Sequence, residues 1–514
     1  MPDLTERLKN YFSAGFPCLY LVTYEEMRTE IALTAAAKVT GQAVYKWTVT
    51  RGWFSANPDR PAQESSINAT KDPNKALQWT TEGPAESIYI LRDFHPYLTN
   101  AEIVRRIRDI LPLFAASGRV LVFESPYVVV PPEIEKEFTV VQCELPTAEE
   151  LDTPLVACTS ERPIDMPNRT AVLEAARGLT LAEAQNAFSL AIATHGNLGP
   201  DAVQTIMREA AQTVRKTGLL EFVEPLDDLS AVGGLNELKR YLTTRSRAFS
   251  KEAREYGLPV PKGLLLLGMP GCGKSLTAKA IAKTWQRRLL RLDMGRLFGG
   301  IVGESERNTR QVIAVAEAVA PCVLWVDELE QGFAGAASSG RTDSGTTARV
   351  IGTFLTWLSE KRTPVYVVAT ANDVTGLPPQ ILRKGRWDET FFVDLPTQME
   401  RAEILAIHLR KVGRDPEKFD VARLAMHADQ FSGAEIEEAM VAGMWLAFDE
   451  KTEVTTAHIQ RAIASTKTLA STAKEQLNEL RAWSKDRARP ATTVLSEEVP
   501  SARRIAVRED RKRG

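Results

Sequence analysis

Cysteine and histidine are both scarce in this 514-residue chain, at five residues each. The cysteines (Cys18, Cys143, Cys158, Cys272 and Cys322) are scattered, and no C-x-x-C pair occurs. That excludes a disulfide framework and a thiolate metal knuckle, and it reads as reduced, intracellular thiols. The histidines lack metal-ligand spacing. An excess of one charge is missing too: 64 Lys and Arg against 66 Asp and Glu leave a net charge of −2. Such a chain has no global pull toward nucleic acid or an anionic membrane. No uninterrupted apolar run is long enough to span a bilayer. Asp3 and Glu6 stand where a signal peptide would be basic, so a cytoplasmic protein is expected. What remains is a globular balance of 25% charged and 44% hydrophobic residues, with length for two or more domains.

Against that background one stretch stands out. Gly268-Met269-Pro270-Gly271-Cys272-Gly273-Lys274-Ser275 fits the phosphate-loop pattern G-x-x-x-x-G-K-[ST]. An apolar run, Gly263 to Leu267, leads into it, and a helix-prone run from Leu276 follows. Glycines let successive backbone N–H groups face phosphate oxygens, and the new helix offers its positive end. In this pattern Lys274 reaches the terminal phosphates and Ser275 holds magnesium. Cys272 allows a redox-switch idea, because a helix N-terminus can lower a thiol pKa. The plainer reading is a small residue at a variable position.

The second half alternates strands and helices, which predicts an α/β parallel sheet. Strands are expected at Gly263–Gly268, Leu289–Met294, Cys322–Glu328, Pro364–Asn372 and Thr390–Pro396, followed by helices from Gln398 to about Thr468. The first half alternates likewise, at Pro17–Thr23, Ala43–Thr50, Ser87–Asp93, Arg119–Ser125 and Phe138–Leu145, with helices from Thr170 to Lys216. The expected domains are therefore 1–162 (α/β without a phosphate loop), 163–216 (helical, lid-like), 221–396 (core), 397–470 (helical lid) and 471–514. That last segment carries Arg503, Arg504, Arg508, Arg511, Lys512 and Arg513. It reads as a charged, partly disordered tail, or alternatively as a docking arm.

Downstream of the phosphate loop, Val323–Val326 ends in Asp327 and Glu328. Asp327 would order magnesium and Glu328 would polarise an attacking water. Val367–Ala371 ends in Asn372, placed to hydrogen-bond the terminal phosphate or the water. Arg383 and Arg386 lie on a later loop, where guanidinium groups could neutralise charge on a nucleotide held by a neighbouring subunit. Each feature has a plain alternative: acids at a strand end, a turn amide, and a surface ion-pair cluster beside Asp388 and Glu389.

Taken in order, these motifs resemble the AAA ATPase family over about Glu221 to Thr468. Val232-Gly233-Gly234-Leu235 resembles the family's adenine-pocket entry, Gly303-Glu304-Ser305-Glu306 the helix after the first pore loop, and Phe431-Ser432-Gly433-Ala434-Glu435 the lid. The resemblance implies ATP and Mg2+ as cofactors, and a ring, usually a hexamer, that remodels a macromolecule. It also implies Arg383 and Arg386 as fingers acting in trans. Phe16 to Glu26, with Gly295-Arg296-Leu297-Phe298, is similar to a divergent group of cyanobacteria and algal chloroplast genomes (hypothetical chloroplast reading frame forty-six); a plastid gene would place the protein in the stroma. Ile301 stands where family unfoldases carry a pore-loop aromatic, which puts strong polypeptide threading in doubt. An unknown protein substrate or adaptor, met through the first half, is the expected partner. A nucleotide-gated scaffold and a nucleic-acid remodeller are the alternatives, the latter disfavoured by the charge balance.

The first half also reads as a degenerate copy of the second. Cys143-Glu144-Leu145-Pro146-Thr147 parallels Val393-Asp394-Leu395-Pro396-Thr397, and Thr180-Leu181-Ala182-Glu183 parallels the capping box Ser432-Gly433-Ala434-Glu435. Its site is expected to be lost: Tyr24-Glu25-Glu26-Met27 replaces the glycine loop, and Phe94 stands at the place of the catalytic glutamate. Trp47, Trp53 and Trp79 read as core or domain-contact residues in preference to a base-stacking platform.

Overall fold

Short runs of branched and aromatic residues become strands because each can bury both faces between helices. The computed structural model describes residues 3–55, 68–160, 164–216, 218–298, 304–332, 344–383 and 385–493, and it divides at residue 210 into two compact units.

The first unit holds β1 (Cys18–Val22), β2 (Ala43–Thr48), β3 (Gly52–Ser55), β4 (Ser87–Arg92), β5 (Val120–Ser125) and β6 (Thr139–Gln142). They form one sheet in the order β3-β2-β4-β5-β1-β6. All pairs are parallel except β2 with β3. Trp47 and Trp53 are buried in its core, and Trp53 stacks on Trp79 with ring centroids 5.4 Å apart. Their indole N–H groups are spent on the carbonyls of Thr70 and Ala76, so they are core residues, as expected. A small helical bundle follows, built from Asp152–Thr159, Arg169–Ala175, Leu181–His195 and Pro200–Lys216. It begins earlier than the expected boundary at 163, because Leu151 and Leu155 pack with Phe188 and Ile206 and not with the sheet.

The second unit holds β7 (Leu220–Val223), β8 (Gly263–Gly268), β9 (Arg288–Leu292), β10 (Cys322–Val326), β11 (Val365–Ala371), β12 (Glu389–Val393) and β13 (Arg489–Pro490). Their order is β13-β12-β8-β11-β10-β9-β7, with only β7 antiparallel to its neighbour. Helices Gln398–Lys411, Val421–His427, Gly433–Asp449 and Thr456–Ser465 form the lid around Leu405, Leu424, Ile436 and Ile459. The stretch from 471 was expected to be a solvated tail. Its described part is instead structured: helix Lys474–Ser484 buries Leu477 and Leu480, and β13 joins the sheet. The basic residues from Arg503 onward lie outside the described residues.

With the short edge strand β13 left aside, the parallel strands follow one order in both sheets: last, first, fourth, third, second. Register matches as well. Val22 pairs with Ser125 and Gln142, as Leu267 pairs with Ala371 and Phe392. Five residues beyond Gln142 and Phe392, Thr147 and Thr397 each open a reciprocal cap with a glutamate three residues on, Glu150 and Glu400. The first unit therefore repeats the architecture of the second.

Candidate functional site

β8 delivers the chain to the phosphate loop as a fully buried apolar strand. Gly271 and Gly273 have φ of 78° and 87°, which side-chain-bearing residues rarely adopt. A Cβ on Gly271 would also lie 2.8 Å from the Ser432 hydroxyl, so the loop and the lid can meet only at a glycine. There the Ala434 N–H donates to the Gly271 carbonyl at 3.1 Å.

Helix Lys274–Thr284 starts at the lysine the motif singles out. Lys274 is buried, and its ammonium donates to the carbonyls of Gly268 and Met269 at 2.7 Å each. Burial pushes its pKa down to about 8, against the pull of Cys272, Glu330, Asp327 and Glu328. Ser275 Oγ donates to Asp327 Oδ1 at 2.9 Å. Thr370, which the sequence reading passed over, donates to that same oxygen at 2.7 Å and accepts the Glu328 N–H at 3.0 Å. Glu328 itself takes φ of 48°, a costly conformation for a non-glycine residue and one that recurs at functional sites. Asn372 Nδ2 lies 3.4 Å from Glu328 Oε1, and its N–H donates to Glu330 Oε1 at 2.9 Å. Gln331 donates to Glu328 from the other side. Glu330 and Gln331 were also missed; only their closeness to Glu328 in sequence hinted at them.

Gly233, Pro270, Gly271, Cys272, Gly273, Lys274, Ser275, Leu276, Asp327, Glu328 and Asn372 line one cavity of about 330 Å³. Lid residues Ile404, His408 and Gly433 close its other side. Gly233 is needed for a close approach: a Cβ there would lie 2.5 Å from Ile404 Cγ1. The cavity thus has an apolar end, where Val232 and Ile404 could flank a ring, and a polar end. At the polar end N–H groups, one buried ammonium and the Ser275–Asp327 pair suit a polyphosphate and a divalent ion. Burial pushes the Cys272 thiol up to about 12. Little thiolate forms there at neutral pH, which removes the basis of a redox switch.

Two expected residues lie away from this cavity. Arg386 is half-buried and donates to the Leu355 carbonyl at 2.6 Å and to the Ser359 hydroxyl, so it is engaged within its own unit. Arg383 is exposed on the same loop. Ile301 and most of the pore-loop run lie outside the described residues.

The corresponding place in the first unit is built differently. Register sets Arg92 at the position of Asp327 and Asp93 at that of Glu328, and Asp93 shares the left-handed backbone with φ of 49°. Phe94 therefore does not stand at the glutamate's place, as the sequence suggested. It is a core ring packed on Trp47 and Phe123, because β4 stops one residue sooner than its pattern implied. Arg92 binds Glu124 at 2.8 Å, Glu30 at 3.0 Å and Glu26 at 3.2 Å. Arg28 binds Glu150 at 2.8 Å and Glu25 at 3.1 Å. The remaining oxygen of Glu25 accepts the Leu181 N–H at 2.7 Å, at the start of a bundle helix. Two carboxylates and a closed ion-pair network thus occupy the ground that a phosphate would need.

Three family models match the chain: the SpoVK-like AAA ATPase N-terminal domain over residues 4–143, the SpoVK-like AAA ATPase second domain over 148–217, and the ATPase family associated with various cellular activities (AAA) over 264–395. Among similar proteins, one named an uncharacterized AAA domain-containing protein, ycf46, from Guillardia theta is 39% identical over 481 residues, covering 92% of this chain and 94% of its own. A protein of the same name from Pyropia yezoensis is 38% identical, covering 95% and 99%. The ATPase family protein 2 homolog of Caenorhabditis elegans is 29% identical over half of this chain and 37% of its own.

Proposed function

The chain belongs to the AAA ATPase family, and from that membership we propose that it hydrolyses MgATP in a ring of like subunits and remodels a protein or protein complex. The observation that carries the reading is one continuous hydrogen-bonded set, Ser275–Asp327–Thr370–Glu328–Asn372, beside the buried Lys274 in a single cavity. Lys274 would exchange its two carbonyl partners for phosphate oxygens. Ser275 and Asp327 would hold Mg2+, which when bound screens the charge of the phosphates. Asp327 is kept in place for that by two hydroxyl donors on one oxygen. Glu328 orients water and accepts its proton at a carboxylate oxygen. Asn372 holds Glu328 in its facing position, and Glu330 fixes the Asn372 backbone.

Arg383, exposed and away from its own cavity, is the residue to act on a neighbour's nucleotide. Arg386 positions that loop through Leu355 and Ser359. Self-assembly, six copies in the usual family arrangement, also suits the lid helix, where Trp445 and Phe448 are 66% and 75% exposed. In the first unit Tyr24, Met27 and Ile31 form an exposed apolar stripe on and beside helix Glu26–Thr40. It is a suitable contact for a protein substrate or adaptor, in the cytoplasm or in a plastid stroma. No helix among the described residues is long and apolar enough to cross a membrane.

The test is a pair of variants. Glu328→Gln should bind ATP and turn it over at least 100-fold more slowly, the scale of losing a general base. Arg383→Ala should bind ATP yet turn it over slowly, and mixing it with Lys274→Ala chains should restore some turnover at mixed interfaces. Normal turnover by Glu328→Gln would sink the assignment. A nucleotide-gated scaffold is the reading to adopt if turnover stays low with every protein offered while ATP still drives assembly.

A further inference from the structure

Residues 469–493 take part in none of the steps above, yet they touch the walls of the cavity in several places. The segment leaves the lid and is tied there at its start, where the Leu469 N–H donates to Glu435 Oε1 at 2.6 Å. Helix Lys474–Ser484 then packs Leu477 and Leu480 into the core of the second unit. Arg481 grips Asp394 with two nitrogens, at 2.9 Å to each carboxylate oxygen. Past β13, the Ala491 N–H donates to the Phe392 carbonyl, and the Ala491 carbonyl accepts the N–H groups of Glu237 and Leu238 at 3.0 and 3.1 Å. Thr492 Oγ1 donates to Glu400 Oε1 at 2.6 Å, an oxygen that also accepts the Leu235 N–H at 2.9 Å.

Asp394, Glu400 and Leu235 all line the cavity. Two carboxylates in the wall of a site for a polyanion would repel it. Here one is paired with a guanidinium, and the other has both oxygens spent on donors, since Glu400 Oε2 caps Thr397. The counterpart of Glu400 in the first unit, Glu150, gives its free oxygen to Arg28 instead. The carboxylate is thus retained in both units, and only the second uses the chain beyond the lid to satisfy it.

We propose that residues 474–493 are a positioning arm for the nucleotide: Arg481 neutralises Asp394 and Thr492 fixes Glu400, so that the arm sets nucleotide affinity without touching the reacting phosphate. The assignment rests on the ATPase reading above. Because the Arg481–Asp394 pair is about 40% exposed on both sides, it contributes little to folding stability. Its effect falls on the charge met by an incoming anion.

The experiment measures the Kd of full-length protein for a fluorescent ATP analogue, together with KM and kcat. Arg481→Ala should weaken binding about fivefold to tenfold at low salt and less at high salt, where the exposed charges are screened. Arg481→Lys should recover part of the loss. Thr492→Val should weaken binding about threefold to fivefold, a share of the cost of losing one bond to a charged group, and Thr492→Ser should restore it. In both cases kcat at saturating ATP should hold. Wild-type Kd in both Arg481→Ala and Thr492→Val, or loss of kcat at unchanged Kd, would overturn the arm. Absence of ATP binding by the wild type itself would instead overturn the ATPase reading.

Discussion

The two units place opposite charges at equivalent positions of one architecture. In the second, the helix after β8 begins with Lys274, and the residue beyond β10 is Asp327. In the first, the helix after β1 begins with Glu26, and the register equivalent of Asp327 is Arg92. Lysine and aspartate leave a polar cavity open between them for a ligand. Glutamate and arginine meet directly at 3.2 Å, and Glu30, Glu124, Lys46 and Thr29 complete the closure. The sheet order survives the exchange intact. The fold is therefore indifferent to the site, and what separates a nucleotide module from a structural one is whether the charges are satisfied from within.

The sharpest way to break the comparison is to count nucleotide. The full chain should bind one ATP, and Lys274→Ala should reduce that to none, because no basic loop remains in the first unit to take over. A second ATP per chain, surviving Lys274→Ala, would show that the Glu25–Arg28 network opens. Next in size is Arg92→Met. It leaves Glu124, which is almost wholly buried, without its guanidinium, at a cost of about 3 kcal/mol. Thermal or urea unfolding should show this loss while the Kd for ATP stays at the wild-type value. A fall in ATP affinity of the same order would mean that the two sites are coupled.

Within the second unit, Thr370→Val keeps the β-branched shape and removes the hydroxyl shared by Asp327 and Glu328. Turnover should fall about tenfold, on the scale of one lost hydrogen bond to a charged group, with a smaller change in KM and recovery in Thr370→Ser. The smallest expected effect is that of pH. With burial holding Lys274 near 8, the ammonium is present below that value and is lost as pH rises through it. Affinity for ATP should therefore be highest below about pH 8 and weaken above it, by at most tenfold per unit for one proton. A flat Kd between pH 7 and pH 9 would mean that Lys274 keeps its proton across that range.

The parts legible in the sequence were those fixed by local spacing. Gly268 to Ser275 declared the loop because backbone conformation and residue type are tied at each glycine. The caps at Thr180 and Ser432 are likewise four-residue patterns. Thr370 was illegible, because its worth comes from two residues just beyond the end of the adjacent strand. The arm was illegible for a similar reason: a stretch rich in Lys, Arg and Glu reads as solvent-facing, and contacts distant in sequence, those of Leu477 and Leu480 and of β13 with the edge of β12 among them, make it structural. Phe94 was misplaced because the one acid before it, Asp93, was matched by residue type with Asp327, and residue type does not mark where a strand stops pairing. Only the register against Glu124 does.

The short strand β13 has a consequence for solubility. A bare β12 would present a row of unpaired N–H and C=O groups at the rim of the sheet, open to a strand from another molecule. β13 covers that rim with two residues, and the second is Pro490, which has no N–H to offer a further strand. Many copies held close together in an assembly are where stray edge pairing would be most damaging. A chain cut before Arg489 should thus be prone to aggregate even where its catalytic residues are intact.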